Sequence, residues 1–177
     1  ESESVGVLKE YIYSIGETGD AVGIRIASNP EYLSPLAWYT SQGFGGSPTT
    51  TDVNGYAAVQ DGRTVYVGAP NVNGDSIYAN IYVISYNQGA GAEAIDIYNQ
   101  MLNNFEFAVH LDGVNLCIGE SLTGTICTSN LDCNLGDGEV CGSDRDKIRR
   151  DTMRLSDLKT IEGALSSYAR STKLCSA

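Results

Sequence analysis

Five cysteines, one histidine, eleven tyrosines and a scatter of carboxylates are the side chains of this sequence that could do chemistry. Cys117, Cys127, Cys133 and Cys141 fall within 25 residues, spaced C-x9-C-x5-C-x7-C, in a stretch rich in Gly, Asp, Asn, Ser and Thr. Such a stretch holds little apolar content of its own, so covalent cross-links are a physical means of fixing it. Zinc is the competing use of clustered thiols. It is disfavoured because no C-x2-C knuckle is present and His110 is the only imidazole. Disulfides are therefore expected among the four, which implies an oxidising compartment, an extracellular or cell-surface location. Three pairings are open. Cys175 is left over, to pair beyond this chain, to pair between chains, or to stay free.

Acyl-transfer catalysis needs a nucleophile, a base and a group that orients the base. His110 stands alone on a predicted strand, no Gly-x-Ser-x-Gly elbow is present, and His110 is read as an ordinary strand residue. The acids fall in turns and on helix surfaces, where solubility accounts for them. Asp132, Asn134, Asp137 and Glu139 could offer oxygens to calcium, but the EF-hand order of oxygens at 1, 3 and 5 with Gly at 6 is not met. Gly89-Ala90-Gly91 before a helix is weakly like a phosphate cradle, yet lacks the continuation such loops need, and reads as a plain loop. No enzyme activity, metal or cofactor is expected. Tyr78, Tyr82 and Tyr86 share one face of a predicted strand, and Trp38-Tyr39 lies on a short helix. Together these five form a possible binding face, since tyrosines offer rigid amphipathic contact area. The alternative is that the tyrosine face packs under a helix.

The elements that position these residues follow from periodicity. Val5 to Ile15 fits a helix or a strand. Ala21 to Ile26 alternates with Val22, Ile24 and Ile26 on one side, a strand. Ser34-Pro35 is an N-cap followed by Pro at the first helical position, predicting a short helix that stops at Gly43. A loop is expected from Gly43 to Thr51. Asn54-Gly55 and Asp61-Gly62 are tight-turn dipeptides that bracket a strand at Tyr56 to Gln60. Arg63 to Val67 is the next strand, Pro70 to Ser76 a loop, and Ile77 to Tyr86 the longest strand. Ala92 to Asn104 sets Ile95, Tyr98, Leu102 and Phe105 on one helical stripe, and Phe105 to Leu111 reads as a strand. The fold class is thus α+β: an antiparallel sheet with one short and one amphipathic helix, an α/β sandwich. Beyond it come a disulfide-linked loop and a long C-terminal amphipathic helix. The expected division is 1–112 sandwich, 113–143 cysteine-rich linker and 144–177 helix.

Charge sharpens that division. Residues 1–144 carry 18 acids against 3 bases, whereas residues 145–177 carry 4 acids against 8 bases, within a net charge of −11. A surface so acidic excludes nucleic acid, whose phosphates demand cations. Protein partners or self-association are expected instead. No stretch reaches the ~20 apolar residues of a membrane span, so a membrane could be reached only through a segment outside this chain.

Two resemblances add to this reading. Val53-Asn54-Gly55-Tyr56-Ala57-Ala58-Val59 and Met101-Leu102-Asn103-Asn104-Phe105-Glu106-Phe107 resemble patterns of PsbP-type α/β-sandwich domains. That likeness implies a non-catalytic binding or assembly domain. Arg150 to Tyr168, with Leu155, Leu158, Ile161, Leu165 and Tyr168 at three- and four-residue steps, resembles the soluble half of the long helix of type IV pilins and pseudopilins. The apolar segment that precedes this helix in pilins is replaced here by the cysteine loop, which implies a truncated, borrowed module. The order of sandwich, cysteine loop and pilin-like helix is similar to that of large surface proteins of candidate-phylum bacteria. The resulting expectation is a non-catalytic module of a bacterial cell-surface or pilus-associated protein. Its alternatives are a self-assembling extracellular filament subunit, whose Val5 to Ile15 strand completes a neighbour's sheet, and a surface-polymer hydrolase.

Overall fold

In the computed structural model, residues 6–73, 76–107, 115–119 and 125–171 are described. The chain divides into two compact units, Glu1–Phe105 with Thr152–Ala177, and Glu106–Asp151.

The first unit is built on strands β1 (Val7–Ile15), β2 (Asp20–Ser28), β3 (Thr49–Val53), β4 (Tyr56–Asp61), β5 (Thr64–Asn73) and β6 (Ser76–Tyr86). They form one antiparallel sheet in the order β1-β2-β6-β5-β4-β3. The ambiguous N-terminal segment is a strand. Asn54 and Gly55 both take positive φ, 50° and 75°, which matches the right-handed twist of the β3–β4 hairpin. Two expected loops are shorter than predicted. Thr49 to Val53 pairs with β4, and the Pro70 to Ser76 stretch is largely ladder, since β5 runs to Asn73 and β6 begins at Ser76. Pro70 is tolerated because β4 pairs with β5 only over Thr64–Val67, so beyond Val67 a missing N–H breaks no ladder bond on that side.

Helix α1 (Pro35–Ser41) starts where the sequence placed it, with Ser34 Oγ accepting from the Ala37 N–H at 3.2 Å. Helix α2 spans Ala92–Asn103. The two helices cover opposite sides of the sheet. On β6, Ile81 packs with Trp38 of α1 and Ala27, while Tyr86, of opposite parity, meets Tyr98 of α2 ring to ring at 4.9 Å. Buried Val22, Ile24, Val65, Val67 and Ile84 fill the α2 side. Phe105–Phe107, expected to open a strand, is irregular, and the Phe105 N–H instead closes the end of α2 on the Leu102 carbonyl at 3.3 Å. The rest of that expected strand, with His110, lies outside the described residues.

Asp20 ties the start of α2 to the sheet. Its carboxylate accepts from the Gly91 N–H at 3.2 Å, the Asn87 amide at 3.3 Å and the Thr18 hydroxyl at 3.1 Å. Gly91, the N-cap of α2, has no side chain, so Asp20 supplies the anion that a helix N-terminus favours. The Gly91 N–H first, then Asn87, hold the Asp20 carboxyl below its ordinary value. A depressed carboxyl contributes stability that is present above the unfolded value of 3.8 and is lost as pH falls through the folded one. Asp20→Asn is therefore expected to melt below the parent protein at pH 7, the gap closing as pH drops beneath 3.8. A gap independent of pH in thermal melts would contradict this role.

The second unit contains β7 (Leu116–Ile118) and β8 (Val140–Gly142), an antiparallel pair with Cys117 opposite Cys141. Short 3-10 turns at Asn130–Asp132 and Leu135–Asp137 lie between them. The segment expected to be loop throughout thus has a small framework. Helix α3 spans Asp144–Ser171.

Candidate functional site

The chemistry of the second unit is set by sulfur. Cys117 is joined to Cys133 and Cys127 to Cys141, so the bridges interleave. The Cys117 N–H donates to the Thr125 carbonyl at 2.8 Å and the Cys127 N–H to the Asn115 carbonyl at 3.0 Å, which lays the middle segment along β7. Cys117, Cys127 and Cys133 are the only group of three metal-capable side chains found close together among the described residues. All three are disulfide-bonded and offer no thiolate, so zinc is overturned as a reading of these thiols. Cys175 lies outside the described residues.

Two of the four candidate calcium ligands, Asp132 and Glu139, are engaged locally. The Asp132 carboxylate accepts from the Thr128 N–H at 2.7 Å, the Thr128 hydroxyl at 2.8 Å and the Ser129 N–H at 3.0 Å. The Thr128 N–H is the main cause of its depressed pKa. Glu139 is fully buried, its Oε2 accepting from the Asn134 N–H at 3.1 Å. A Cβ added at Gly119 would overlap the Glu139 side chain, so a residue lacking a side chain is needed beside this buried carboxylate. The Asp137 side chain lies outside the described ones. The Gly91 N–H is taken by Asp20, so the Gly89-Ala90-Gly91 turn presents that donor to its own sheet and not to a phosphate.

The five aromatic residues grouped by sequence as one binding face do not share a surface. Trp38 and Tyr39 are buried on the α1 side, in a cluster with Phe44 and Tyr66 at ring separations of 5.0–6.3 Å. The Tyr39 hydroxyl donates to Asp61 at 2.5 Å and accepts from the Gly46 N–H at 3.2 Å. The hydrogen bond to Asp61, ahead of burial, raises the Tyr39 pKa. Two neighbouring helical residues are both inside because α1 lies between the sheet on one side and Phe44 on the other. Tyr78, Tyr82 and Tyr86 lie on the α2 side: Tyr86 is half-covered by Tyr98, Tyr82 is half-buried and Tyr78 is exposed.

Register supplies what the sequence did not show. Across β1-β2-β6, Lys9 aligns with Ile26 and Tyr82, Tyr11 with Ile24 and Ile84, and Tyr13 with Val22 and Tyr86. Tyr11 and Tyr13 therefore join the same side as Tyr78 and Tyr82, and Lys9 Nζ lies 5.0 Å over the Tyr11 ring. On the opposite side Glu10 bridges Arg25 at 2.7 Å. Val7, Leu8, Tyr11, Ile12 and Tyr13 are all exposed. β1 pairs with its own β2, so within one copy this strand completes its own sheet.

Along α3, Leu158, Ile161, Leu165 and Tyr168 face solvent, and Lys159 bridges Glu162 at 2.9 Å and Glu31 at 3.7 Å. No helix among the described residues is long and apolar enough to cross a membrane. Searches found no matching family model, no matching curated protein and no matching solved structure.

Proposed function

We propose that this chain is a non-catalytic, disulfide-stapled binding or structural module that works outside the reducing cytoplasm, as part of a bacterial cell-surface or pilus-associated protein. The observation that carries the reading is the interleaved pair of disulfides in the second unit. Disulfides persist where thiols are not kept reduced, so they are consistent with an oxidising, extracytoplasmic setting. The exposed apolar and tyrosine-bearing edge of the sheet supports a role in contact with other macromolecules. The sandwich and pilin-like resemblances supply the surface and bacterial context.

Alkylation of denatured protein, taken from its native source without reduction, tests this. The expected result is that at most one of the five cysteines is modified until a reductant is added. Five reactive thiols in unreduced protein would overturn both the location and the role.

A further inference from the structure

We propose that a second copy of this chain docks on β1, antiparallel about a two-fold axis at Ile12, so that two six-stranded sheets continue as one. This deepens the binding reading above by naming the partner.

β1 is an edge strand nine residues long. Protein edges are ordinarily blunted along their length by charge, proline or bulges. β1 has no proline, its irregularity is confined to Val7–Lys9, and its charges stop at Lys9 and Glu10. From Tyr11 to Tyr13 it presents only Tyr, Ile and Tyr, with Ile12 69% exposed.

Charge selects a second copy as the occupant. The first 144 residues hold three cations; one, Lys9, is on this edge strand, and a second, Arg25 on the neighbouring β2, neutralises its Glu10. Over the rest of the sheet, its turns and its two covering helices, acids outnumber cations, and two copies meeting there would oppose like charges; at β1 they do not. The other edge, β3, carries Asp52 and no cation.

The strand is also complementary to itself. Opposed residues of an antiparallel pair share a face, so an axis at Ile12 sets Ile12 against Ile12, Tyr11 against Tyr13, Glu10 against Ser14 and Lys9 against Ile15 of the other copy. No like charges meet. An axis at Glu10 would oppose two carboxylates, and one at Tyr11 would set Ile12 against Glu10. The tyrosines of the α2 side would form one belt across the axis. Such a contact uses the same patch on both copies and closes at two.

Light scattering of the full chain in non-reducing buffer should give twice 18.9 kDa. Ile12→Lys, which opposes two ammonium groups and removes two buried isoleucines, is expected to weaken the dimer on the order of a hundredfold. Its far-ultraviolet circular dichroism should match the parent's, and it should melt lower only at protein concentrations where the parent is dimeric. Ile12→Cys in a Cys175→Ser background should yield a covalent dimer on oxidation, because opposed Cα atoms lie ~4.5–5.5 Å apart, within disulfide reach. A parent protein that stays monomeric, an assembly larger than two, a dimer that does not cross-link at position 12, or one broken by Leu158→Lys on α3 instead would each overturn the proposal. A monomer with four protected cysteines would remove the dimer and leave the proposed location standing.

Discussion

Exchange of Cys127 and Cys141 for serine is expected to unfold the second unit while the six-stranded sheet persists. The reason is that, among its described residues, Glu106–Asp151 buries Phe107 and a sulfur cluster and little else that is apolar. Its buried cluster consists of Cys117, Cys127 and Cys133 with Cys141 packed against them. Three aliphatic side chains of the same region face water, Ile126 69%, Leu131 86% and Leu135 53% exposed. Two strands of three residues each cannot hold a sheet by themselves. What remains is chain entropy: the bridges close loops of 16 and 14 residues, and a loop of that size is worth about 3 kcal/mol. Because the bridges interleave, either one alone leaves part of the segment unrestrained. Hydrogen exchange reads the outcome by residue. The Cys117 and Cys127 amides, which donate to Thr125 and Asn115, should lose protection in the double variant or after reduction. Amides of β2 and β6 should keep theirs. Protection retained at Cys117 and Cys127 without the bridges would mean that the buried Glu139 and its hydrogen bonds hold the unit.

How much of this was legible in the sequence depends on where each residue's information lies. The Val22, Ile24 and Ile26 alternation and the Ser34-Pro35 cap are local signals, and the structure uses both. β3 was missed because Thr49 to Asp52 are all exposed and only Val53 is buried, so no alternation marks it. It is a strand because Asn54-Gly55 turns the chain back onto β4. Pro70 read as a loop residue because a proline is costly in a ladder paired on both sides. Only the register shows that β5 lacks a β4 partner there. Residue type did not reveal exposure: Trp38 and Tyr39 look like contact residues, yet Phe44 and Tyr66 close over them. The spacing of the cysteines left three pairings open, since which sulfurs meet depends on β7 pairing with β8. The charge partition was plain from counting. Where those few cations lie depends on register, which sets Lys9 on the edge strand β1 and Arg25 beside Glu10 on β2.

Tyr98→Ala is the core substitution with the largest expected cost, about 3–5 kcal/mol, the range for truncating a buried aromatic side chain. Tyr98 is 1% exposed and is the larger of the two buried side chains of α2, its ring against Tyr86 and its hydroxyl donating to the Ile84 carbonyl at 3.4 Å. The ring and the hydroxyl contribute very differently. A hydrogen bond that long is a weak one, so Tyr98→Phe should cost no more than ~1 kcal/mol at pH 7. Their pH dependence separates them further. Burial raises the Tyr98 phenol well above its ordinary value of 10, so its neutral form stabilises the fold fully below 10. That contribution is lost as pH rises from there toward the folded value. Denaturant titrations should therefore show the parent protein falling toward Tyr98→Phe above pH 10, since phenylalanine has nothing to ionise. Tyr39, Tyr66 and Tyr82 are also shifted upward, and subtracting the Tyr98→Phe curve isolates Tyr98 from them. If Tyr98→Phe lost as much as Tyr98→Ala at neutral pH, α2 would be held by the hydroxyl and not by the ring.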